Sequence, residues 1–353
     1  MSTMQSVVLR DGKVQLESQE IPKPGLGQVL VKSLACGICG SDLHLAHHTD
    51  EIFELYQQLG MLPAELEVKP DIMLGHEFAA EVVEYGPETQ AEVPVGTRVT
   101  SVPILMSQNG AGIGVTPGIH GAYSEYFLLD EALMLPLPEG VTPQAAAITE
   151  PLAVGLHAVN RSDIGKNDVA LVAGCGPIGL AVISALCLRG IKHIVASDPQ
   201  PNAQALAKEF GASVAVNPME TDEVARAAEL AGEGRVVIYE CAGIRQLLDS
   251  FIRRAPQHAS LIVTGVHTEP TAVNFAFAMV KEMDIKFTYY YTPEEFSECL
   301  QTIARGEVNW KALWTGTVGI DGVPAAFETL TQPNDHIKVI VEPWRSGGLE
   351  KAE

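Results

Sequence analysis

Residues 169–179 read VALVAGCGPIG, in which an apolar run ends in a cluster of glycines. The run Val169–Ala173 predicts a buried strand, and Ile178–Leu188 predicts a helix after the glycine turn. This order directs backbone N–H groups and a helix N-terminus at one point, as the binding of a pyrophosphate requires. We therefore predict a dinucleotide-binding loop, rather than a purely structural turn, with the residues Gly174, Gly176, Pro177, Ile178 and Gly179.

Strands and helices alternate beyond this loop. The predicted elements are a strand at Ile194–Ser197, a helix at Asn202–Phe210, and strands at Val214–Val216, Val236–Tyr239 and Leu261–Thr264. Nearly all-apolar strands that alternate with helices indicate a parallel sheet covered on both faces. The predicted fold class is therefore α/β, with a doubly wound sheet of the dinucleotide-binding type. Asp198 ends the second strand, where a carboxylate can accept hydrogen bonds from adenosine ribose hydroxyls.

The first 140 residues have a different pattern, with short β-rich runs separated by glycine and proline. The runs Gln28–Lys32, Ala79–Val83 and Thr97–Val102 predict strands of a mostly β domain. A helix follows the N-cap Thr142, and we expect Pro151 to limit its far end. This region precedes the dinucleotide-binding domain.

The end of the chain resembles neither a separate domain nor a tail. It has a helical pattern at Pro293–Ala304 and a β-rich close at Ile337–Val341, and we expect it to return to the first domain. The predicted organisation is a mostly β domain in residues 1–155, a dinucleotide-binding domain in 156–291, and a returning part of the first domain in 292–353.

Composition excludes several classes of function. The 44 acidic and 23 basic residues give a net charge of −21, so we expect neither a nucleic-acid nor a membrane-surface partner. The N-terminus lacks the pattern of a secretory signal, and six cysteines in 353 residues do not indicate a disulfide scaffold. We therefore expect a cytoplasmic protein. Residues 169–188 are uncharged and long enough to cross a membrane, but their glycines and proline argue against one continuous helix.

Potential metal ligands are concentrated in three segments: Cys36–His44, Gly75-His76-Glu77, and Glu150 with Pro151. Zinc accepts thiolate, imidazole and carboxylate ligands, whereas we expect Asp42 to support a ligand through a hydrogen bond. Cys36 and Cys39 could instead be a redox pair or half of a structural zinc site, but no second CxxC occurs. We expect the remaining candidates to be solvated (His47, His48) or packing residues (Cys175, Cys187, Cys241, Cys299).

In combination, these motifs resemble the zinc-dependent medium-chain dehydrogenases. The matching segments are CGSDLH at 39–44, GHE at 75–77, EPLA at 150–153, GCGPIG at 174–179 and IKV at 337–339. The motifs are specific in combination and in order, and the resemblance covers essentially the whole chain. The sorbitol and threonine dehydrogenase-like branch is the most similar.

The resemblance implies a GroES-like catalytic domain made from both ends of the chain and a Rossmann domain between them. It implies that Cys39 and His76 bind zinc, with Glu77 as a direct or alternating third ligand. Glu150 takes the position of the remaining ligand, directly or through water. Glu77 and Asp42 also belong to the implied catalytic set.

The resemblance further implies a route for the proton and for the hydride. Ser41 is similar to the family's proton-relay hydroxyl and His44 to its outer base, with the cofactor ribose between them. Gly265 and Val266 are implied contacts to NAD, and Asp198 is expected to favour NAD over NADP because a carboxylate repels a 2′-phosphate. A homodimer or homotetramer is implied, and packing is the expected role of Tyr289–Tyr291, near the family's subunit-contact strand.

One departure from the family concerns metal content. Many relatives hold a second, structural zinc with four cysteines, but this chain has no cysteine between Cys39 and Cys175. We therefore expect one zinc per chain. Packing must hold this lobe instead, with Ile104, Leu105 and Met106 as expected anchors.

A second departure is an insertion at Asp50–Val68, between the first two metal-binding segments. It predicts a helix, because Ile52, Leu55, Tyr56 and Leu59 lie at positions i, i+3, i+4 and i+7. We expect this helix to border the active-site mouth and to affect the size of the substrate.

Three functions remain open at this point. The first is an NAD-dependent zinc dehydrogenase of secondary alcohols or polyols, in which zinc polarises the alcohol oxygen. The second is a zinc-free reductase of enones or quinones from the same superfamily, which the combination of Cys39, His76 and Glu77 disfavours. The third is a non-catalytic NAD-binding protein, which the pair Ser41 and His44 disfavours.

Overall fold

The structure is a computed structural model that describes residues 2–60, 62 and 70–352. The strands, numbered in chain order, are β1 Thr3–Arg10, β2 Lys13–Glu20, β3 Gln28–Gly37, β4 Ile72–Met73, β5 Glu77–Tyr85, β6 Arg98–Ser101, β7 Ile104–Leu105, β8 Ala111–Gly112, β9 Tyr126–Asp130, β10 Met134–Pro136, β11 Val169–Ala173, β12 Ile194–Ser197, β13 Val214–Val216, β14 Val236–Glu240, β15 Ser260–Val263, β16 Asp284–Phe287, β17 Trp314–Gly319, β18 Lys338–Glu342 and β19 Glu350–Lys351.

The helices, numbered in the same way, are α1 Gly40–His47, α2 Thr49–Gln58, α3 Pro143–Ala147, α4 Thr149–Ser162, α5 Pro177–Leu188, α6 Pro201–Glu209, α7 Glu223–Ala231, α8 Arg245–Arg254, α9 Phe275–Val280, α10 Pro293–Ala304, α11 Trp310–Leu313 and α12 Val323–Leu330. The chain divides into two units. Unit 1 consists of Met1–Glu150, Leu300–Gly306 and Trp310–Glu353, and unit 2 of Pro151–Cys299 and Glu307–Asn309.

Unit 2 contains a six-stranded sheet in the order β13-β12-β11-β14-β15-β16, and all neighbouring strands are parallel. Its central strands are apolar because both faces are covered, and all five residues of β11 are buried. Helix α5 is buried from Gly179 to Leu186, as expected of a helix that is apolar on every side. The predicted doubly wound α/β fold is confirmed. Its five predicted strands start and end within one residue of the predicted limits, whereas the edge strand β16 was not predicted.

Unit 1 is mostly β. One sheet has the order β10-β6-β5-β3-β18-β17-β19, with β9 also paired to β3, and a smaller sheet has the order β2-β1-β4. Strand β18 pairs with β3, with Ile340 opposite Gly37 and Val341 opposite Cys36. The end of the chain therefore returns to the first domain, as predicted. Large buried side chains such as Phe78, Phe127 and Tyr123 fill the core.

Pro151 lies inside a helix rather than at its end. Helix α3 ends at Ala147, and α4 begins at Thr149 and runs through Pro151. A proline is tolerated in the first helical turn, because the N–H group that it lacks has no acceptor within the helix there. The prediction that Pro151 limits a helix is wrong, whereas Thr142 caps α3 by accepting a bond of 3.2 Å from the backbone of Ala145.

Two predicted apolar sets are only partly buried. Leu105 is 1% exposed, but Met106 is 62% exposed and does not anchor the lobe. In the predicted insertion, α2 buries Ile52 and Phe53, whereas Leu59 follows the helix and is 63% exposed. The buried face is therefore displaced toward Phe53, which the i, i+3, i+4, i+7 pattern did not include. Residues 61 and 63–68 of the insertion lie outside the described residues.

No helix in the part of the chain that the structure describes is long and apolar enough to cross a membrane. The uncharged residues 169–188 divide into β11 and α5, with the glycine turn between them. This division follows from the helix-breaking glycines and proline that the sequence places there.

Candidate metal centre and cofactor site

Strand pairing in unit 1 brings together the candidate metal ligands. Strand β3 ends at Gly37, which pairs with Glu77, the first residue of β5. Cys39 follows β3 as the N-cap of α1, and His76 immediately precedes β5. Residues that are far apart in the sequence therefore lie side by side, because the sheet register fixes the ends of both strands.

The side chains of Cys39, His76 and Glu77 form one group of possible ligands, with ligand atoms that all lie within 4.8 Å of one another. Zinc binds sulfur, nitrogen and oxygen at about 2.0 to 2.3 Å, so one ion could join the three after small side-chain shifts. Glu77 is fully buried, and its Oε2 has no hydrogen-bond partner among the described residues. A buried carboxylate oxygen without a partner fits a metal ligand, since such a group is costly to leave unsatisfied.

A buried lysine holds the other oxygen of Glu77. Lys338 is 2% exposed, and its Nζ donates to Glu77 Oε1 at 2.7 Å and to the carbonyl oxygen of Ile38 at 3.0 Å. Burial alone would lower the pKa of Lys338, but the charges of Glu77 and Cys39 raise it above its ordinary value. Lys338 is therefore a cation that compensates for the negative charge of the ligand group.

Asp42 supports the group without belonging to it. Its Oδ1 lies 3.3 Å from His76 Nδ1, and its Oδ2 accepts the backbone N–H of Cys39 at 3.1 Å. The Tyr123 hydroxyl lies 2.7 Å from the same Oδ2, and burial raises the pKa of that phenol, which keeps it a donor. Because Asp42 faces Nδ1 of the imidazole, Nε2 is the ring nitrogen left for a metal.

Electrostatics at His76 have two opposing causes. Burial disfavours the charged imidazole, but the charges of Asp42 and Cys39 outweigh it and raise the pKa of His76 well above its ordinary value. Negative charge therefore dominates this position. A divalent cation would neutralise this negative charge in place of the proton on His76.

The predicted relay residues lie on one face of α1. Ser41 is exposed in its first turn, and its hydroxyl donates to Cys39 Sγ at 3.1 Å. His44 follows three residues later, and its ring lies 4.7 Å from that of His48. Burial and the neighbouring His48 lower the pKa of His44 from 6.5, so its imidazole is neutral at pH 7 and able to accept a proton.

Glu150 stands apart from the group of three. It is 8% exposed in the first turn of α4, and it is not among the three residues whose ligand atoms lie within 4.8 Å. Its charge contributes to the raised pKa of Lys338, after those of Glu77 and Cys39. Its role as a further ligand stays a prediction.

The remaining cysteines have no partner thiol, because all six are free. Cys36 is fully buried, burial raises its pKa, and it lies outside the ligand group, which argues against a redox pair with Cys39. Cys175 and Cys299 are buried as predicted, and Cys241 is half-buried. Cys187 is exposed, but its Sγ lies 3.5 Å from the carbonyl oxygen of Phe210, so it packs only in part. His47 and His48 are exposed, in agreement with the prediction, but His47 lies in α1.

The glycine loop of unit 2 has the features of a phosphate-binding turn. Helix α5 begins at Pro177 behind the N-cap Gly176, which offers no side-chain cap, so its first N–H groups remain for a ligand. A Cβ at Gly179 would lie 1.8 Å from the carbonyl oxygen of Gly174, so the packing of helix on loop requires glycine there. A Cβ at Gly176 would meet nothing within 4 Å, and a ligand that approaches the backbone explains glycine at this position.

Asp198 follows β12 and contacts the same loop. Its Oδ2 accepts the backbone N–H of Cys175 at 2.9 Å, and its Oδ1 accepts that of Gln200 at 2.9 Å. The carboxylate therefore also braces the loop, a role that the sequence did not indicate. Gly265 and Val266 follow β15, where the Gly265 N–H donates to the carbonyl oxygen of Glu240 and Val266 is 64% exposed.

Comparison with known proteins agrees with this geometry. Family models described as an alcohol dehydrogenase GroES-like domain and a zinc-binding dehydrogenase match residues 25–139 and 177–305. The (R,R)-butanediol dehydrogenase of Bacillus subtilis (strain 168) is 32% identical over 342 residues, covering 94% of this chain and 96% of the relative. The chain belongs to the zinc-dependent medium-chain dehydrogenase family.

A further relative and a solved structure agree with this assignment. Sorbitol dehydrogenase of Bos taurus is 30% identical over 339 residues, covering 92% of this dehydrogenase and 91% of the relative. The crystal structure of 2R,3R-butanediol dehydrogenase from Bacillus subtilis superposes with a TM-score of 0.81 at 31% identity, covering 96% and 99% of the two chains. This dehydrogenase is accordingly a zinc-dependent oxidoreductase of alcohols or polyols that uses NAD.

The sequence missed two supporting residues of this dehydrogenase. Lys338 is the one charged residue in the apolar run 337–341, and such a residue inside a buried strand signals a buried partner. Tyr123 carries no comparable signal, because its contact with Asp42 depends on the tertiary structure.

Proposed function

We propose that this dehydrogenase oxidises secondary alcohols, including vicinal diols and polyols, at one zinc per chain. The convergence of Cys39, His76 and Glu77 within 4.8 Å carries the proposal, with Glu150 as the fourth group. The names of the relatives support the substrate class, since butanediol and sorbitol both carry secondary hydroxyl groups. Zinc would supply a Lewis acid for the alcohol oxygen, and NAD would take up the hydride.

The protein's own residues would position the metal and move the proton. Lys338 holds one carboxylate oxygen of Glu77 through a hydrogen bond of 2.7 Å. Asp42 Oδ1 lies 3.3 Å from His76 Nδ1 and would orient the imidazole once a metal is bound. The Ser41 hydroxyl, which contacts Cys39 Sγ, would receive the proton of the alcohol. His44 is neutral at pH 7 and would serve as the outer base.

The cofactor would lie at the carboxyl ends of the strands of unit 2. The loop at Gly174, Gly176, Pro177, Ile178 and Gly179 would take the pyrophosphate, and Gly265 and Val266 would contact the far half of the cofactor. Asp198 stands where it would accept hydrogen bonds from the adenosine ribose, and this selects NAD.

A matched pair of variants tests the relay. We expect Ser41→Ala to slow the oxidation of 2,3-butanediol or sorbitol by NAD by about 10² to 10⁴-fold, the usual contribution of general acid–base catalysis. Ser41→Thr, which retains a hydroxyl, should stay close to wild type, and both variants should keep zinc and NADH. Steady-state kinetics measure the turnover of both variants, and elemental analysis measures their zinc content. Unchanged turnover of Ser41→Ala at neutral pH would remove Ser41 from the mechanism.

We further propose that the insertion at residues 50–68 borders the substrate entrance. Within its described part, α2 is anchored by buried Ile52 and Phe53 while Asp50, Glu51 and Glu54 are exposed. Shortening the insertion should alter KM between small and bulky alcohols while zinc stays bound. An unchanged substrate profile would contradict this role.

We also propose that the chain forms a homo-oligomer through unit 2, as a dimer or tetramer in the cytoplasm. Strand β16 is an edge strand, and large apolar side chains near it are more than 60% exposed: Phe275, Met279, Val280, Phe287 and Tyr289. Such a patch on an unpaired edge marks an interface. Sedimentation velocity tests this, and a monomer would contradict it. The six free cysteines suit a reducing compartment.

The domain limits 1–155, 156–291 and 292–353 remain our proposal for the evolutionary and folding units of the chain. The two units of the structure support a division of this kind, with changes at 150/151 and 299/300. Limited proteolysis that leaves a resistant fragment close to residues 156–291 would support these limits, and cleavage inside β11 or β14 would contradict them.

A further inference from the structure

A buried carboxylate–imidazole pair lies at the carboxyl edge of the parallel sheet in unit 2. Glu240 is the last residue of β14 and is fully buried, and its Oε1 accepts the backbone N–H groups of Ala242 at 2.9 Å and Gly243 at 2.8 Å. Its Oε2 lies 2.9 Å from Nε2 of His267, which follows β15. The carboxylate is thus fully engaged, with His267 as its one side-chain donor among the described residues.

This contact fixes the tautomer of His267. A carboxylate accepts and does not donate hydrogen bonds, so Nε2 carries the proton that binds Glu240. In the neutral ring Nδ1 is then an acceptor. That atom is buried, and it has no hydrogen-bond partner among residues 2–60, 62 and 70–352. A buried acceptor without a partner is costly, and a ligand that donates to it would remove the cost.

The position of the pair defines which part of a ligand could reach it. A dinucleotide lies across the carboxyl ends of a doubly wound sheet, at the point where the strand order reverses. Here that point lies between β11 and β14. Asp198 ends β12, on one side of β11, and would take the adenosine. The other half of the cofactor, the nicotinamide riboside, therefore extends over β14 and β15, where Glu240 and His267 lie.

We propose that Nδ1 of His267 accepts a hydrogen bond from the nicotinamide riboside half of NAD, and that Glu240 positions the ring for this contact. The assignment rests on the proposed placement of the pyrophosphate on the loop at residues 174–179. Two groups of the cofactor have the required chemistry, a ribose hydroxyl and the carboxamide NH₂. His267 is thus a specificity-determining residue for the cofactor, separate from the metal ligands and the relay.

Two substitutions separate the functions of the two ring nitrogens. The amide nitrogen of a glutamine can replace Nε2 and keep the contact with Glu240, but it leaves no acceptor at the position of Nδ1. The amide oxygen of an asparagine lies near the position of Nδ1 and can accept there. We therefore compare zinc-loaded wild type with His267→Gln and His267→Asn, and monitor folding by thermal denaturation.

The readout is the Kd of three probes measured by calorimetric titration: NADH, ADP-ribose and AMP. We expect His267→Gln to bind NADH about 5 to 10-fold more weakly, the usual effect of one hydrogen bond, and AMP with unchanged affinity. His267→Asn should recover at least half of the lost NADH affinity on a logarithmic scale. If His267→Gln binds ADP-ribose more weakly than wild type does, the contact is with the ribose. If its affinity for ADP-ribose is unchanged, the contact is with the carboxamide.

Several results would overturn the assignment. NADH affinity that is unchanged in His267→Gln would exclude the contact, and AMP affinity that falls as much as that of NADH would show a merely structural role. His267→Asn as weak as His267→Gln, in a protein with the wild-type melting temperature, would exclude an acceptor at Nδ1. Wild-type protein that binds none of the three probes would overturn the proposed cofactor site itself, an outcome distinct from a selective failure at His267.

Discussion

The metal centre of unit 1 and the glycine loop of unit 2 use opposite chemical means. The candidate metal centre would depend on the side chains of Cys39, His76 and Glu77, which are buried or half-buried and compensated by Lys338. The loop at residues 174–179 offers backbone N–H groups and depends on the absence of side chains. One site should therefore fail when a side chain is removed, and the other when a methyl group is added.

The largest effect is expected from removal of a metal ligand. Cys39→Ser should reduce zinc from close to one per chain to near zero, and with it alcohol oxidation to background, because the thiolate supplies a primary bond to zinc. NADH binding should persist, since the glycine loop belongs to the other unit. Elemental analysis of protein purified without chelator measures the zinc.

Cys36→Ala is the matched control for that variant. Cys36 is the cysteine three residues before Cys39, but it is fully buried and lies outside the ligand group. It should retain zinc and lose only a modest amount of stability. Two zincs per wild-type chain, or one that survives in Cys39→Ser, would show that the ligands are misassigned.

The next effect concerns the charge balance of the metal centre. Lys338→Met removes the cation that binds Glu77 and leaves a buried carboxylate, and breaking a buried pair in this way costs about 3–5 kcal/mol of unfolding free energy. Chemical denaturation of the zinc-free protein measures this cost. Lys13→Met, at an exposed position of β2, should change stability little. A Lys338→Met protein as stable as Lys13→Met would contradict the compensation.

A smaller effect is expected when a methyl group is added to the loop. Gly176→Ala should leave the Tm unchanged, because its Cβ meets no protein atom within 4 Å, but it should weaken NADH binding by roughly tenfold or more by blocking the approach of the pyrophosphate. Gly179→Ala should instead lower stability by about 1–3 kcal/mol, because its Cβ would overlap the Gly174 carbonyl. Zinc content should be normal in both. A Gly176→Ala protein with wild-type NADH affinity would show that the loop does not need glycine at this position to bind the pyrophosphate.

The smallest effect tests Asp198, a side chain that braces the cofactor loop. Asp198→Ala should narrow the preference for NAD over NADP several-fold, because the carboxylate that repels a 2′-phosphate is gone. It should also weaken NAD binding, since Asp198 holds the backbone of Cys175. The ratio of kcat/KM for the two cofactors measures the preference. A wild-type protein that prefers NADP would show that Asp198 does not select the cofactor.

The same contrast explains how much the sequence could predict. The loop is local, and a strand, a turn and a helix in succession specify β11 and α5 to within one residue. The candidate ligands Cys39, His76 and Glu77 were predictable from residue type and motif, and strand pairing brings them together. Asp42 was also predictable as a support. Lys338 and Tyr123 were missed, because their contacts with Glu77 and Asp42 depend on the tertiary structure.

Two further errors have local causes that the pattern did not capture. Pro151 was expected to limit a helix, but a second helix starts just before it and accommodates proline in its first turn. The periodicity predicts an apolar face of Ile52, Leu55, Tyr56 and Leu59 on α2, whereas the helix ends at Gln58 and buries Ile52 and Phe53. Both errors concern helix ends, which depend on local backbone geometry more than on hydrophobic periodicity.

The return of the last strands to the first sheet has a consequence for synthesis on the ribosome. Unit 2, which ends its main segment at Cys299, is complete before Lys338 has been translated. Until β18 pairs with β3, Lys338 is not in place and Glu77 lacks the cation that binds it. The NAD-binding unit can therefore fold while the chain is still growing, but the metal centre must wait for release of the C-terminus. A nascent chain stalled before residue 338 would thus contain a finished Rossmann sheet and an incomplete candidate zinc site.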